Sequence, residues 1–385
     1  VSWTDIDSDG DLDLYITNEN GEQENLYRND GGGAFEKLTG LVITTDGVNT
    51  MSSSWGDIDN DGDLDLFLAN DGSKNQLFRN DGDFVFARIL TTDISKNNAR
   101  SFSSAWTDID NDGDLDLFVT NAFQNGVRLK NLLYLNDGTG HLTEVTDEIV
   151  VTDTGWSYGC AFGDYDNDGF QDLAVATTRF GGVDDVDYLY HNNGNENHWI
   201  LLSLEGTTSN TSAIGAKVRL KSVVHDTSTW QMREVSAQSA YCSQNDLRVH
   251  FGLGTAAIID SIVIEWPSGI VQFRTNVLPN QMINIQEELV NSIHEEESLF
   301  GLTIYPNPTN AAIELKANFS SLSNKLLLEV FGDTGQVVYR STFQHAGGPW
   351  QHHLNLAELN LAAGHYVVRL SNGQAGEERK LILIK

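Results

Sequence analysis

The chain has 385 residues, 55 of them acidic and 23 basic, for a formal net charge of −32 at pH 7. At roughly 150 residues per domain it is too long for one compact core, so about two or three domains are expected. So negative a chain repels phosphate backbones and anionic lipid head groups, which excludes nucleic acid and membrane surfaces as partners and makes cations the natural ones.

The 35 glycines against 5 prolines suit many turns between short strands, and the chain reads as all-β. No stretch approaches the roughly 20 apolar residues of a membrane span. Up to Asn197 there are 10 basic and 38 acidic residues, so the acidity belongs to the first half.

An internal repeat carries that acidity. Asp5-Ile6-Asp7-Ser8-Asp9-Gly10-Asp11-Leu12-Asp13 recurs as Asp57-Ile58-Asp59-Asn60-Asp61-Gly62-Asp63-Leu64-Asp65 and as Asp108-Ile109-Asp110-Asn111-Asp112-Gly113-Asp114-Leu115-Asp116. An altered copy follows as Asp164-Tyr165-Asp166-Asn167-Asp168-Gly169-Phe170-Gln171-Asp172, and the four copies are spaced by 52, 51 and 56 residues.

Carboxylates at loop positions 1, 3 and 5 can turn toward a common centre, and the glycine at position 6 permits the positive φ that closes the turn. Position 7 (Asp11, Asp63, Asp114 and Phe170) contributes only its backbone carbonyl, so the phenylalanine is harmless there. The position-9 aspartates (Asp13, Asp65, Asp116 and Asp172) complete the oxygen shell that calcium prefers over magnesium. The expectation is one Ca2+ per loop, about four in all. An EF-hand would need glutamate at position 12 and flanking helices, whereas Ile16, Leu68, Val119 and Val175 stand there. These lie in apolar runs that read as strands buried on both faces.

Each repeat continues to Asn29-Asp30-Gly31, Asn80-Asp81-Gly82, Asn136-Asp137-Gly138 or Asn192-Asn193-Gly194, which is hairpin-turn chemistry. One loop and one hairpin in about 50 residues make a four-stranded blade, so residues 1–197 read as four blades of a β-propeller. These motifs resemble the FG-GAP and VCBS repeats of integrin α-chain propellers and many bacterial surface proteins. The resemblance implies calcium loops on the outer edge of each blade and about seven blades in all. Because the chain opens inside a repeat, the four are expected to be part of a longer propeller.

Trp55, Trp106 and Phe162 occupy equivalent places just before their loops and are expected in the inter-blade core, with Trp3 as an exposed counterpart. Gly155-Trp156-Ser157-Tyr158-Gly159 has the Gly-x-Ser-x-Gly pattern of a nucleophile elbow, which needs a strand, a sharp turn and a helix. Here it falls in a blade's first strand, which argues against catalysis.

From His198 the repeat stops. Ser209 to Ala216, Tyr241-Cys242-Ser243-Gln244, His250 to Gly254 and Glu265-Trp266-Pro267-Ser268-Gly269 resemble the ASPIC/UnbV domain of cartilage-acidic-protein-like proteins over residues 198–288. Thr211 departs from the basic residue more usual there. Alternating runs such as Lys217 to Leu220 read as strands, so this is a small β domain. Residues 289–301, with Glu295-Glu296-Glu297, read as a solvated acidic linker.

Residues 302–385 hold Tyr305-Pro306-Asn307-Pro308, Gly364 to Leu370 and a lysine-containing last strand. They resemble the C-terminal sorting domain of type IX secretion cargo. That implies a β-sandwich that engages the type IX secretion machinery as an export signal and is removed outside the outer membrane. An ordinary immunoglobulin-like module kept in the mature protein is the competing reading.

Cys160 and Cys242 are too few for a disulfide framework and read as two buried free thiols, with an interdomain disulfide as the alternative. The ten histidines show no zinc spacing and read as surface or packing residues. The functional expectation is a non-catalytic, secreted or surface-anchored calcium-binding propeller that acts in adhesion or binds an extracellular protein or glycan. An extracellular polysaccharide-degrading enzyme built on a propeller is the alternative.

Overall fold

The computed structural model describes residues 1–90, 93–95, 98–178, 185–288, 301–305, 307, 309, 312–319, 325–332, 336–345, 347–359, 361, 364–372 and 376–383. The chain forms two compact units, Val1–Val290 and Asn291–Lys385.

The first blade is an antiparallel meander of Ser2–Thr4, Asp13–Ile16, Asn25–Asn29 and Phe35–Leu38. The second is built from Thr50–Gly56, Asp65–Lys74, Gln76–Asn80 and Phe86–Ile89, and the third from Asn98–Thr107, Asp116–Asn121, Leu132–Asn136 and Leu142–Val145. Their sheets join where Asp71 pairs with Arg100 and Lys74 with Asn98. The fourth blade shows three strands among the described residues, Ser157–Gly163, Asp172–Thr177 and Tyr188–Tyr190, one fewer than its repeat predicts.

Burial falls from the second strand of each blade to its last. Asp116–Asn121 is buried along its whole length, as its unbroken apolar run requires, whereas Phe35–Leu38 lies at an exposed edge. Blades stack through edge-to-face aromatic pairs: Tyr15 with Trp55 at 5.6 Å, Phe67 with Trp106 at 6.4 Å and Phe118 with Phe162 at 6.2 Å. The expected inter-blade aromatics are therefore in place, and Trp3 is 49% exposed.

The hairpin asparagines add a second stitch. Asn80, Asn136 and Asn192 each donate Nδ2–H to the position-2 carbonyl of the preceding blade's loop, on Ile6 (3.2 Å), Ile58 (2.7 Å) and Ile109 (2.7 Å).

Residues 198–288 form two sheets within the same compact unit. His198–Glu205 lies between Val249–Gly254 and, in parallel, Gln281–Gln286, while Lys217–Val224 lies between Thr227–Glu234 and Ile259–Glu265, with Val271–Val277 at the edge. Ile200, Val218, Phe251, Ile262 and Trp266 fill the core. Its end is pinned by Glu287, whose carboxylate accepts the backbone N–H groups of Thr207 (2.8 Å), Thr208 (2.7 Å) and Ser209 (2.7 Å) and the Ser209 hydroxyl (2.8 Å). Burial alone would raise this carboxyl, but the hydrogen bonds from Ser268, Ser209 and Thr207 outweigh it and hold the pKa at about 2.

The second unit is a two-sheet sandwich. Thr303–Tyr305, Ala312–Phe319 and Gly348–Asn355 form one sheet; Val337–Phe343, Leu326–Phe331, Gly364–Ser371 and Gly376–Leu383 form the other. Alternate residues of Ala312–Phe319 face a core with Leu328, Val368 and Leu381, as a period of two requires. The linker 289–301, apart from Gly301, and part of the Gly332–Gly335 turn lie outside the described residues. Cys160 is buried as expected, but Cys242 is exposed, and both are free thiols.

Candidate metal centres

All four acidic loops adopt one backbone conformation. Position 4 is left-handed at Ser8, Asn60, Asn111 and Asn167 (φ 59°, 58°, 59° and 62°), and position 6 is positive at Gly10, Gly62, Gly113 and Gly169 (φ 100°, 97°, 104° and 92°). Asparagine tolerates the first and only glycine readily takes the second. The glycine is legible from the motif; the left-handed residue two places earlier was missed, although three asparagines there were a signal.

Two aspartates of each loop hold its shape. Position 1 accepts the N–H groups of positions 5 and 6: Asp9 and Gly10 on Asp5 (3.0 and 2.9 Å), Asp61 and Gly62 on Asp57 (3.1 and 3.2 Å), Asp112 and Gly113 on Asp108 (3.0 and 2.9 Å), and Asp168 and Gly169 on Asp164 (3.1 and 3.0 Å). Position 9 accepts the N–H of position 2 and of the hairpin asparagine: Ile6 and Asn29 on Asp13 (3.0 and 2.8 Å), Ile58 and Asn80 on Asp65 (2.9 and 2.8 Å), Ile109 and Asn136 on Asp116 (both 2.9 Å), and Tyr165 and Asn192 on Asp172 (3.1 and 2.8 Å). Both positions are buried in every loop, whereas positions 3 and 5 are half-buried or exposed.

Three carboxylates come together in each of the first three loops, though not the same three, and in the third loop Asp112 groups instead with Asp114 and His225. Oxygens of Asp5, Asp7 and Asp13 lie within 4.8 Å of one another, as do those of Asp57, Asp59 and Asp61 and those of Asp108, Asp110 and Asp116. Asp59 Oδ1 is buried without a hydrogen-bond partner, as a free ligand atom would be. In the fourth loop Asp166 and Asp168 group with His191, whose Nε2 lies 3.0 Å from Asp166 Oδ2, a neighbour that reading the histidines as surface or packing residues had not picked out.

The position-7 side chain lies over the hairpin turn of its own repeat. A Cβ built on the hairpin glycines would meet Asp11 Oδ2 at 2.8 Å (Gly31), Asp63 Oδ2 at 3.3 Å (Gly82), Asp114 Oδ2 at 2.6 Å (Gly138) and Phe170 Cε2 at 2.7 Å (Gly194). The side chain there covers the next turn, which is why phenylalanine can replace aspartate.

Crowding buried acids disfavours their ionised forms. Burial, reinforced by neighbouring aspartates, raises Asp13 and Asp112 to about 7, and burial raises Asp57 to about 7 despite the opposing field of Arg233. Asp65, Asp108 and Asp116 are likewise held well above the ordinary carboxylate range, again by burial first.

Residues 198–288 supply counter-charge to this cluster. Lys217 Nζ lies 2.7 Å from Asp5 Oδ2, with both side chains almost fully buried. Arg248 donates to the Asp164 carbonyl (2.5 Å) and to Asn167 Oδ1 (2.8 Å). Arg233, half-buried over the Phe251 ring at 5.2 Å, sits in the fields of Asp108 and Asp57. Gly252 N–H donates to Asp108 Oδ2 (3.1 Å) and Gly254 N–H to the Asn111 carbonyl (2.8 Å). His225 Nε2 is 3.8 Å from Asp114 Oδ2, and His250 Nε2 is 3.2 Å from the Gly169 carbonyl. A Cβ on Gly252 would fall 2.1 Å from Asp108 Oδ2, so only glycine permits this approach. The His250 to Gly254 motif supplies three of these contacts without announcing them, and the basic members Lys217, His225, Arg233 and Arg248 are single residues scattered along the second domain.

Ser157 lies in the strand Ser157–Gly163, fully buried and without the turn and helix of an elbow.

The repeated loop backbone and its bound hairpin asparagine are the features by which the family can be compared. The chain matches the FG-GAP-like repeat family over residues 5–68, 57–119 and 121–175. These blades are FG-GAP-like repeats. Residues 206–292 match the ASPIC and UnbV family, and residues 303–385 match the secretion system C-terminal sorting domain. Human cartilage acidic protein 1 is 26% identical over 300 residues, covering 75% of this chain and 43% of its own length. The chain thus spans less than half of that relative. Integrin alpha-4 of Xenopus laevis is 34% identical over 98 residues, covering 23% of this chain and 9% of its own length. The tetra-tandem repeat in the extending region of a large adhesion protein aligns at 12% identity over 97% of this chain and 91% of that one, with a TM-score of 0.19. The sorting domain indicates export to the extracellular or surface compartment and engagement with the type IX secretion machinery, and the FG-GAP-like repeats travel with it. Among the described residues no helix is long and apolar enough to cross a membrane.

Proposed function

We propose that the FG-GAP-like repeats bind calcium at about four sites and that the exported protein acts in adhesion, or binds an extracellular protein or glycan, without catalysing a reaction. The observation that carries the calcium reading is the repetition of one cage: the same two positive-φ residues and the same self-bonded first and ninth aspartates in all four loops. Solvated turn residues have no reason to keep that register four times.

The donors fit a hard cation, being carboxylate and carbonyl oxygens. Asp5, Asp7, Asp9 and Asp13 with the Asp11 carbonyl would hold it in the first loop, and Asp57, Asp59, Asp61 and Asp65 with the Asp63 carbonyl in the second. Asp108, Asp110, Asp112 and Asp116 with the Asp114 carbonyl would serve the third, and Asp164, Asp166, Asp168 and Asp172 with the Phe170 carbonyl the fourth. Bound calcium supplies positive charge, and with it relief of the repulsion among 38 acidic and only 10 basic residues up to Asn197. The chain's own residues preform the loops, so the ion stabilises a shape already present.

Calorimetric titration of calcium into the chelator-treated 385-residue chain, with the melting temperature followed in parallel, tests this. Saturable uptake of about four ions with a higher melting temperature is expected. Absence of binding overturns the proposal.

A further inference from the structure

The domain that follows the repeats places its cations against the loops' own anchoring residues. Lys217 is paired with Asp5 at 2.7 Å, its side chain 6% exposed and that of Asp5 5%. Arg248, ion-paired with Asp246, also donates to the Asp164 carbonyl and the Asn167 side chain at the left-handed corner of the fourth loop, and half-buried Arg233 lies in the fields of the first aspartates of the second and third.

We propose that residues 198–288 set the calcium affinity of the first and fourth loops, holding it down by supplying competing positive charge, with Lys217 doing so at the first loop and Arg248 at the fourth. This rests on the calcium reading above. The loops do not need these cations for their shape: Asp5 is already fastened by Asp9 N–H at 3.0 Å and Gly10 N–H at 2.9 Å. What Lys217 adds is charge. Two cations served by one carboxylate repel, and burial keeps salt from screening that repulsion.

The coupling is reciprocal. Docking of the domain weakens calcium, and calcium weakens docking by the same factor. With calcium scarce the domain is clamped onto the acidic loops by Lys217 and Arg248. With calcium abundant the ions take over the neutralisation and the clamp loosens. The second domain thereby converts a structural ion site into one that responds to calcium concentration.

The test compares the unaltered chain with Lys217→Met and Arg248→Gln by calcium calorimetry and by melting in chelator and in calcium. The first-loop site is identified as the one that Asp9→Asn abolishes. Lys217→Met should melt lower in chelator, bind calcium at that site roughly tenfold more tightly, within the usual 5–150-fold range of coupled sites, and regain most of its stability when calcium is added. Arg248→Gln, whose side chain is 22% exposed and less critical to folding, should tighten the fourth site in the same direction. A purely structural role would leave affinity unchanged or weaken it, and either result in both variants overturns the inference while leaving the calcium reading intact. If the unaltered chain takes up no calcium, the calcium reading fails and this inference with it. If Lys217→Met does not fold in either condition, Arg248→Gln decides alone.

Discussion

Asn136→Ala isolates the bond that ties one blade to the next. Asn136 is 6% exposed; its Nδ2 donates to the Ile58 carbonyl of the preceding blade at 2.7 Å and to the Leu115 carbonyl at 3.1 Å, and its Oδ1 accepts the Gly138 N–H at 3.3 Å. Asn29, at the same place in the first blade, makes the last two bonds, to the Leu12 carbonyl (3.1 Å) and from the Gly31 N–H (3.1 Å), and among the described residues has no inter-blade bond. Each buried group left without its partner costs about 1–3 kcal/mol. Asn136→Ala should therefore destabilise by about 3–5 kcal/mol and Asn29→Ala by about 1–2 kcal/mol, the half-buried site of Asn29 letting water replace part of the loss. Urea denaturation of both variants in the presence of chelator measures the difference without any contribution from metal. Equal costs would refute the view that the hairpin asparagine is an inter-blade stitch rather than a local turn residue.

Two further outcomes follow from the acidic cluster. Asp13, Asp57 and Asp112 have folded-state pKa values raised to about 7, so the native state holds protons that the unfolded chain releases at ordinary carboxylate values. Their contribution is fully present below about pH 4 and lost as pH rises toward about 7, so the metal-free melting temperature should fall across that window. Added calcium should flatten the fall, and a melting temperature in chelator that rises steadily from pH 4.5 to 7.5 would contradict it. Gly252→Ala sets a Cβ at 2.1 Å from Asp108 Oδ2 and should separate residues 198–288 from the third loop, which faster proteolysis of that region would reveal; unchanged protease resistance would show that the contact is dispensable.

Much of the fold was legible because its chemistry is local. The loop motif marks the four acidic turns with their closing glycine, and the apolar runs that follow read as buried strands, so the repeats and most of their blade strands are legible from spacing. The sandwich of residues 302–385 was expected from the resemblance of its motifs to the sorting domain, and its strands alternate as a period of two requires. Cys242 shows the limit: a thiol read as buried from its residue type is exposed, at φ 52°, because its surroundings are a loop on the domain surface.

What the sequence by itself determined is the set of acidic loops, the turns and the division into repeat, middle and sorting segments. Only the tertiary structure decided what neutralises the loops. Lys217 reaches Asp5 across 212 positions, and Arg248 reaches Asp164 across 84. Single basic residues carry no pattern, and their effect depends on burial and distance, neither of which exists until the two domains are packed together.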